Sequence, residues 1–119
     1  MQRKILLIED NEDIAHLLIE RLEKKDFSVK HIKNGLDVVS HLMKKEIAPH
    51  AIILDLMLPG RTGYELLGTV KSACPYAKVF IFSAHREYQY QMPPEIAENF
   101  FCKTDGFDKL IDAIESAVV

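Results

Sequence analysis

The stretch AIILDLMLPGRTG, residues 51–63, sets four apolar residues in a row, ends them on Asp55 and then passes into Pro59-Gly60. An apolar run of this length, with no polar residue alternating through it, predicts a short strand covered on both faces. A strand that delivers a single carboxylate at its tip has to be understood from what the other strand ends carry.

Working outward, KILLI (4–8), KVFIF (78–82) and NFFC (99–102) repeat the same continuous apolar pattern. FSVKHI (27–32) alternates apolar with polar residues instead, which predicts a strand with one wet face at a sheet edge. Amphipathic segments lie between these runs. Ile14, Leu17, Leu18 and Leu22 fall on one helical face behind Asn11, a good N-cap residue. Asn34 can cap a second helix with Val39, Leu42 and Met43 inward. A third, starting near Thr62, carries Leu66, Leu67 and Val70 before Cys74-Pro75. Phe107, Leu110, Ile111, Ile114 and Val118 mark the last, with Asp105 or Thr104 as its cap. In REYQYQMPPEIAE (86–98), Pro93 and Pro94 allow only a short or interrupted helix. Five strands alternating with about five helical segments predict a parallel sheet between two helical layers, an α/β sandwich.

At 119 residues the chain is the size of one domain, 1–119, and a net charge of −3 does not suggest a nucleic-acid partner. No apolar run reaches membrane-spanning length and the N-terminus has no signal pattern, so a cytoplasmic protein is expected. Cys74, before a proline, and Cys102, in an apolar run, read as reduced thiols.

Ligands of such sheets bind beyond the carboxyl ends of the strands. Those ends carry Glu9 and Asp10 after the first strand, Asp55 after the third, Ser83 at the fourth and Lys103 after the fifth. Taken singly, each has an ordinary reading as a turn, cap, loop or surface residue. Together they describe crowded carboxylates balanced by Lys103 and by a hard divalent cation, Mg²⁺ before Ca²⁺. A carboxylate in that setting can accept a phosphoryl group as an aspartyl phosphate.

These residues are also where the chain resembles the receiver domains of two-component response regulators, over its whole length. ILLIEDNEDI (5–14) is similar to the family's first strand and acidic pair. DLMLPGRTGYELL (55–67) is similar to its phosphoacceptor strand and following loop, IFSAH (81–85) to its fourth strand and FFCK (100–103) to its fifth. The resemblance implies a flavodoxin-like (CheY-like) fold with strand order 2-1-3-4-5. It implies Asp55 as phosphoacceptor, with Glu9, Asp10, Asp55 and the Met57 backbone carbonyl holding Mg²⁺, or Mn²⁺ in its place. Ser83 and Lys103 would contact the phosphoryl group. Ser83 and Phe100 would form the switch, with Phe101 as the alternative if the register slips by one. Implied partners are a sensor histidine kinase or histidine phosphotransfer protein and a downstream protein, for a monomer or weak dimer.

Thr104 follows Lys103 where the family usually has proline, often after a cis bond. A non-proline cis bond costs roughly 2.5–4 kcal/mol, so the loop either holds that bond or runs trans and shifts Lys103. The fourth-helix segment also departs from the family, and Tyr88 and Tyr90 there are either partner contacts or a cover for the core. His85 and Met57, each two positions beyond a site residue, flank the phosphoryl site; the remaining histidines, His16, His31, His41 and His50, lack metal-ligand spacing.

The expected function is a phosphorylation-controlled switch rather than an enzyme with an outside substrate. The alternative is a pseudo-receiver that binds a partner without phosphorylation. A phosphatase of the haloacid dehalogenase type would need a second aspartate two residues after Asp55, where Met57 stands. A nucleotide-binding flavodoxin-like protein would need glycine where EDNED (9–13) stands. Nothing beyond ESAVV suggests an effector domain, so the chain either acts through a partner or comes from a longer protein.

Overall fold

The computed structural model describes residues 3–43, 48–58 and 63–118. Five strands, β1 (Arg3–Ile8), β2 (Phe27–Ile32), β3 (Ala51–Leu54), β4 (Lys78–Ser83) and β5 (Phe100–Cys102), form one sheet. The helices between them are α1 (Glu12–Glu23), α2 (Gly35–Met43), α3 (Gly63–Ala73), α4 (Pro94–Ala97) and α5 (Asp108–Ala117). Single 3₁₀ segments run over Arg86–Gln91 and Lys103–Asp105. The sheet is parallel with order β2-β1-β3-β4-β5, as the resemblance implied.

The unbroken apolar runs follow from a sheet with helices on both faces. Leu6, Ile8, Ile52, Leu54, Val79 and Ile81 point into one core, shared with α2, α3 and α4. Their alternating neighbours Ile5, Leu7, Ile53, Phe80 and Phe82 point into the other, shared with α1 and α5. Fully burying each such side chain contributes roughly 1.5–3 kcal/mol. β2 lies at the edge, and between buried Phe27 and Ile32 its residues are exposed or half-buried, as its alternation predicted.

Asn11 caps α1, its Oδ1 accepting from the Ile14 N–H at 3.1 Å. Asn34 accepts from the Asp37 N–H at 2.9 Å at the start of α2. The helical faces differ in detail from those expected. In α1 the buried residues are Ala15, Leu18 and Leu22, while Leu17 is 53% exposed. In α2 Val38, not Val39, is fully buried, and Val39 packs at the margin. A stripe centred one residue earlier or later satisfies nearly the same spacing, so periodicity alone did not fix these positions.

Neither Asp105 nor Thr104 caps α5. Both belong to the 3₁₀ turn that follows β5, Gly106 then takes φ +82°, and Phe107 occupies the cap position without a side-chain bond. A left-handed residue there suits glycine and re-aims the chain into the helix.

The short fourth helix is as expected, Pro94 serving as its first residue. The Pro59-Gly60 turn and the start near Thr62 lie outside the described residues, as does the Met43 side chain. Gly63 is the first helical residue of α3. No helix among the described residues is long and apolar enough to cross a membrane.

Candidate functional site

The register brings the strand ends level. Ile8 pairs with Leu54, Leu54 with Ile81, Ile81 with Phe100, and Ser83 with Cys102. The next residues along β1, β3 and β5 are therefore Glu9, Asp55 and Lys103, on one rim. The order reverses between β1 and β3, because the chain leaves β1 for β2 on one side and returns to β3 on the other. That is where a crevice opens in sheets of this kind.

Glu9 and Asp55 are almost wholly buried, at 1% and 4% exposure, whereas Asp10 is exposed. A ligand oxygen from each of the three lies within 4.8 Å of the others. The Lys103 ammonium bridges the two buried acids, 2.8 Å from Asp55 Oδ2 and 2.7 Å from Glu9 Oε1. The chain runs trans through Lys103-Thr104, and Lys103 reaches both acids from there.

Backbone amides complete the carboxylates. Met57 N–H donates to Asp55 Oδ1 at 3.1 Å, and Asn11 N–H donates to Glu9 Oε2 at 3.1 Å. Burial pushes the Glu9 carboxyl up to about 7; the Lys103 hydrogen bond opposes this and the Asp55 charge adds to it. For Lys103, burial works downward, but the hydrogen bonds it donates to Asp55 and Glu9 outweigh it and leave the ammonium pKa raised. The site is thus a carboxylate cluster short of positive charge. Oxygen-only donors, two of them buried and one open to water, fit a small hard divalent cation.

Ser83 is wholly buried at the end of β4, its Oγ accepting from the His85 N–H at 3.1 Å. Phe100, paired with Ile81, belongs to the same core as Ile81, and Ser83 shares that face two residues on. Phe101 points to the opposite face, 6.4 Å from the Phe80 ring. Of the two phenylalanines, only Phe100 therefore lies on the serine's side of the sheet.

Two contacts had no counterpart in the sequence reading. His31, on the edge strand, places Nε2 2.7 Å from the Glu9 carbonyl oxygen. Its signal was the β1–β2 register, in which Leu7 pairs with His31, but that needed the strand order first. Tyr88 reaches back from the 3₁₀ segment, its hydroxyl 3.8 Å from Met57 Sδ and its ring 5.6 Å from the His85 ring. No sequence spacing announces such a contact.

The family model described as response regulator receiver domain matches residues 5–115. Sporulation initiation phosphotransferase F of Bacillus subtilis is 30% identical over 117 residues, covering 97% of this chain and 93% of that protein. Among solved structures, TrrA of Thermotoga maritima, a response regulator in complex with Mg²⁺–BeF, aligns with a TM-score of 0.84 at 23% identity. That alignment covers 98% of this chain and 99% of TrrA. A Burkholderia pseudomallei response regulator carrying a phosphorylated aspartic acid, calcium and citrate aligns at 0.80 with 21% identity. It covers 99% of this chain and 67% of that one. Both structural likenesses establish the fold.

Proposed function

The chain belongs to the response regulator receiver domain family, and we propose that it is a phosphorelay switch that takes a phosphoryl group onto Asp55 in a Mg²⁺-dependent reaction. The observation that carries this reading is the Asp55 carboxylate at the rim, within 2.8 Å of the Lys103 ammonium and clustered with Glu9 and Asp10.

Glu9, Asp10, Asp55 and the Met57 carbonyl would hold the ion, which supplies charge neutralisation for the incoming phosphoryl oxygens. Mn²⁺ offers the same charge to the same oxygen donors. The Asp55 carboxylate attacks phosphorus as the bond to the donor nitrogen of a phosphohistidine breaks, and the donor imidazole leaves. β3 holds the nucleophile rigid while its carboxylate faces the crevice. Lys103 adds a point charge and the Ser83 hydroxyl a hydrogen bond to the phosphoryl oxygens. For that bond Ser83 moves toward the phosphoryl group, and Phe100, on the same face, turns into the space it leaves.

The donor is a sensor histidine kinase or a histidine phosphotransfer protein, and the changed face around Phe100 engages a downstream protein. The similarity to sporulation initiation phosphotransferase F supports a place inside a relay. The chain acts as a monomer or weak dimer, and it catalyses only its own phosphorylation and dephosphorylation.

The test is intact mass after incubation with a small-molecule phosphodonor, with and without Mg²⁺, on wild type and Asp55→Asn. Gain of one phosphoryl group that requires Mg²⁺ and is absent from the variant is the expected result. No uptake by folded, Mg²⁺-saturated wild type replaces this reading with a phosphorylation-independent binding module.

A further inference from the structure

The acidic loop that follows β1 is held from its outer side by the end of β2. The ladder between the two strands closes at Ile8 and Ile32, and the Glu9 N–H then donates to the Ile32 carbonyl at 3.1 Å. The Glu9 carbonyl is taken by a side chain, His31 Nε2 lying 2.7 Å from it. A carbonyl oxygen only accepts, so Nε2 carries the proton and donates. Lys33, two residues beyond the half-buried His31, pairs with Glu12 at the start of α1. Both partners of that ion pair are more than half exposed, so it adds little order to the loop. The short bond from His31 is the stronger hold.

The carbonyl that His31 holds belongs to the peptide joining Glu9 to Asp10. A peptide is planar, so fixing the direction of its C=O also fixes its N–H and the line along which the Asp10 Cα leaves. Glu9 is secured separately, its buried carboxylate bonded by the Asn11 N–H and by Lys103. Asp10 is exposed and lies past the ladder, between that peptide and the cap residue Asn11. Its aim therefore depends on the peptide plane in a way that Glu9's does not. We propose that His31 is a positioning residue that holds the Glu9–Asp10 peptide so that the Asp10 carboxylate joins Glu9 and Asp55, raising the affinity of the cluster for Mg²⁺. The inference rests on the reading of these acids as the ion's ligands and adds a residue that never touches the ion. Mg²⁺ demands near-ideal octahedral geometry, so a ligand released from its orientation costs affinity. Groups that orient a ligand from behind change metal affinity roughly 10- to 100-fold when removed. The Asn11 cap still restrains the far side of Asp10, which places the effect at or below the lower end of that range.

The test is calorimetric Mg²⁺ titration of the full chain as wild type, His31→Gln, His31→Leu, Asp10→Asn and the double variant of His31→Leu with Asp10→Asn. Urea unfolding of each chain in EDTA accompanies it. His31→Leu, which fills the space without a donor, is expected to weaken Mg²⁺ binding ~3- to 10-fold. His31→Gln, whose amide nitrogen can take the place of Nε2, stays within about twofold of wild type. Phosphoryl uptake by His31→Leu needs more Mg²⁺ to reach half its maximal rate and regains the wild-type maximum at saturation. A merely structural loss would lower the maximum instead. In Asp10→Asn, adding His31→Leu changes Mg²⁺ affinity by less than about twofold, because the ligand that His31 orients is gone. Nitrogen NMR of the wild-type imidazole is expected to show the proton on Nε2, a readout that decides even where a variant fails to fold. Unchanged affinity in folded His31→Leu, an equal loss in His31→Gln, a full further loss in the double variant, or a ring protonated at Nδ1 alone overturns the role of His31 and leaves the acids as ligands. No Mg²⁺ binding by folded wild type overturns the metal reading and the role of His31 with it.

Discussion

The Lys103 ammonium lies 2.8 Å from Asp55 Oδ2, reaching it from a trans Lys103-Thr104 loop, and the same nitrogen lies 2.7 Å from Glu9. Lysine thus sits between two carboxylates of the three-acid cluster. A divalent cation held by that cluster would compete with Lys103 for the same oxygens, whereas an incoming phosphoryl group would draw on both positive charges.

Lys103→Met is therefore expected to act in opposite directions on binding and on chemistry. Removing the ammonium leaves the three-acid cluster more negative, so Mg²⁺ binds ~3- to 10-fold more tightly at low ionic strength. Phosphoryl uptake from a small donor slows by at least about tenfold, because one positive contact to the phosphoryl oxygens is gone. Calorimetric Mg²⁺ titration reads the first effect and intact mass against time reads the second. Weaker Mg²⁺ binding in the variant would mean that Lys103 supports the site structurally instead of competing for it.

Glu9 gives a pH dependence with a definite sign. Its carboxyl is raised from 4.5 to about 7 in the folded apo chain, so between those values the folded state binds more protons than the unfolded state. Stability from this group then falls as pH rises through that window. The raised ammonium pKa of Lys103 acts only in the alkaline range. Urea unfolding of apo wild type at pH 5 and pH 7.5 is expected to show a decline that Glu9→Gln reduces by about 1–3 kcal/mol. Saturating Mg²⁺ reduces the wild-type decline as well, since it stabilises the ionised acid. A pH slope identical in wild type and Glu9→Gln would rule the mechanism out.

The contrast between strands and helix faces explains what could be read in advance. IILD and ILLIED announced both the two-sided sheet and the acids at its rim, because a strand buried on both faces leaves no choice of side. Once the strand ends were known, Glu9, Asp55, Ser83 and Lys103 fell on one rim through the register alone. Leu17 and the cap of α5 were misread for different reasons. A helix has several overlapping stripes, and the partner helix decides which is buried. At α5, the 3₁₀ turn after β5 took up the residues that would have capped the helix. His31 and Tyr88 were illegible because their contacts cross between elements whose spacing the sequence does not encode.

Leu17 and Leu18 provide a direct check of the α1 face. Leu18 is wholly buried in the core shared with α5, while Leu17 is 53% exposed. Leu18→Ala is expected to cost about 2–5 kcal/mol. Leu17→Ala should change stability by less than about 1 kcal/mol. Urea midpoints at constant m-value give both numbers. Equal losses would return Leu17 to the core.

Asp10 separates metal binding from folding. It is the exposed member of the acid cluster, the helix that follows it is capped by Asn11, and the Lys103 ammonium bonds the other two acids. Its carboxylate therefore adds little to the apo fold, and Asp10→Asn should move apo stability by less than about 0.5 kcal/mol. Toward a hard cation the same change removes one full negative charge from a site whose affinity follows its charge count. Mg²⁺ affinity is expected to fall about tenfold or more, and phosphoryl uptake becomes limited by Mg²⁺ concentration, recovering as the ion is raised. Uptake that fails to recover at high Mg²⁺ would place Asp10 in contact with the phosphoryl group or its donor instead of the ion. Unchanged Mg²⁺ affinity would leave Glu9 and Asp55 as the acids that hold it.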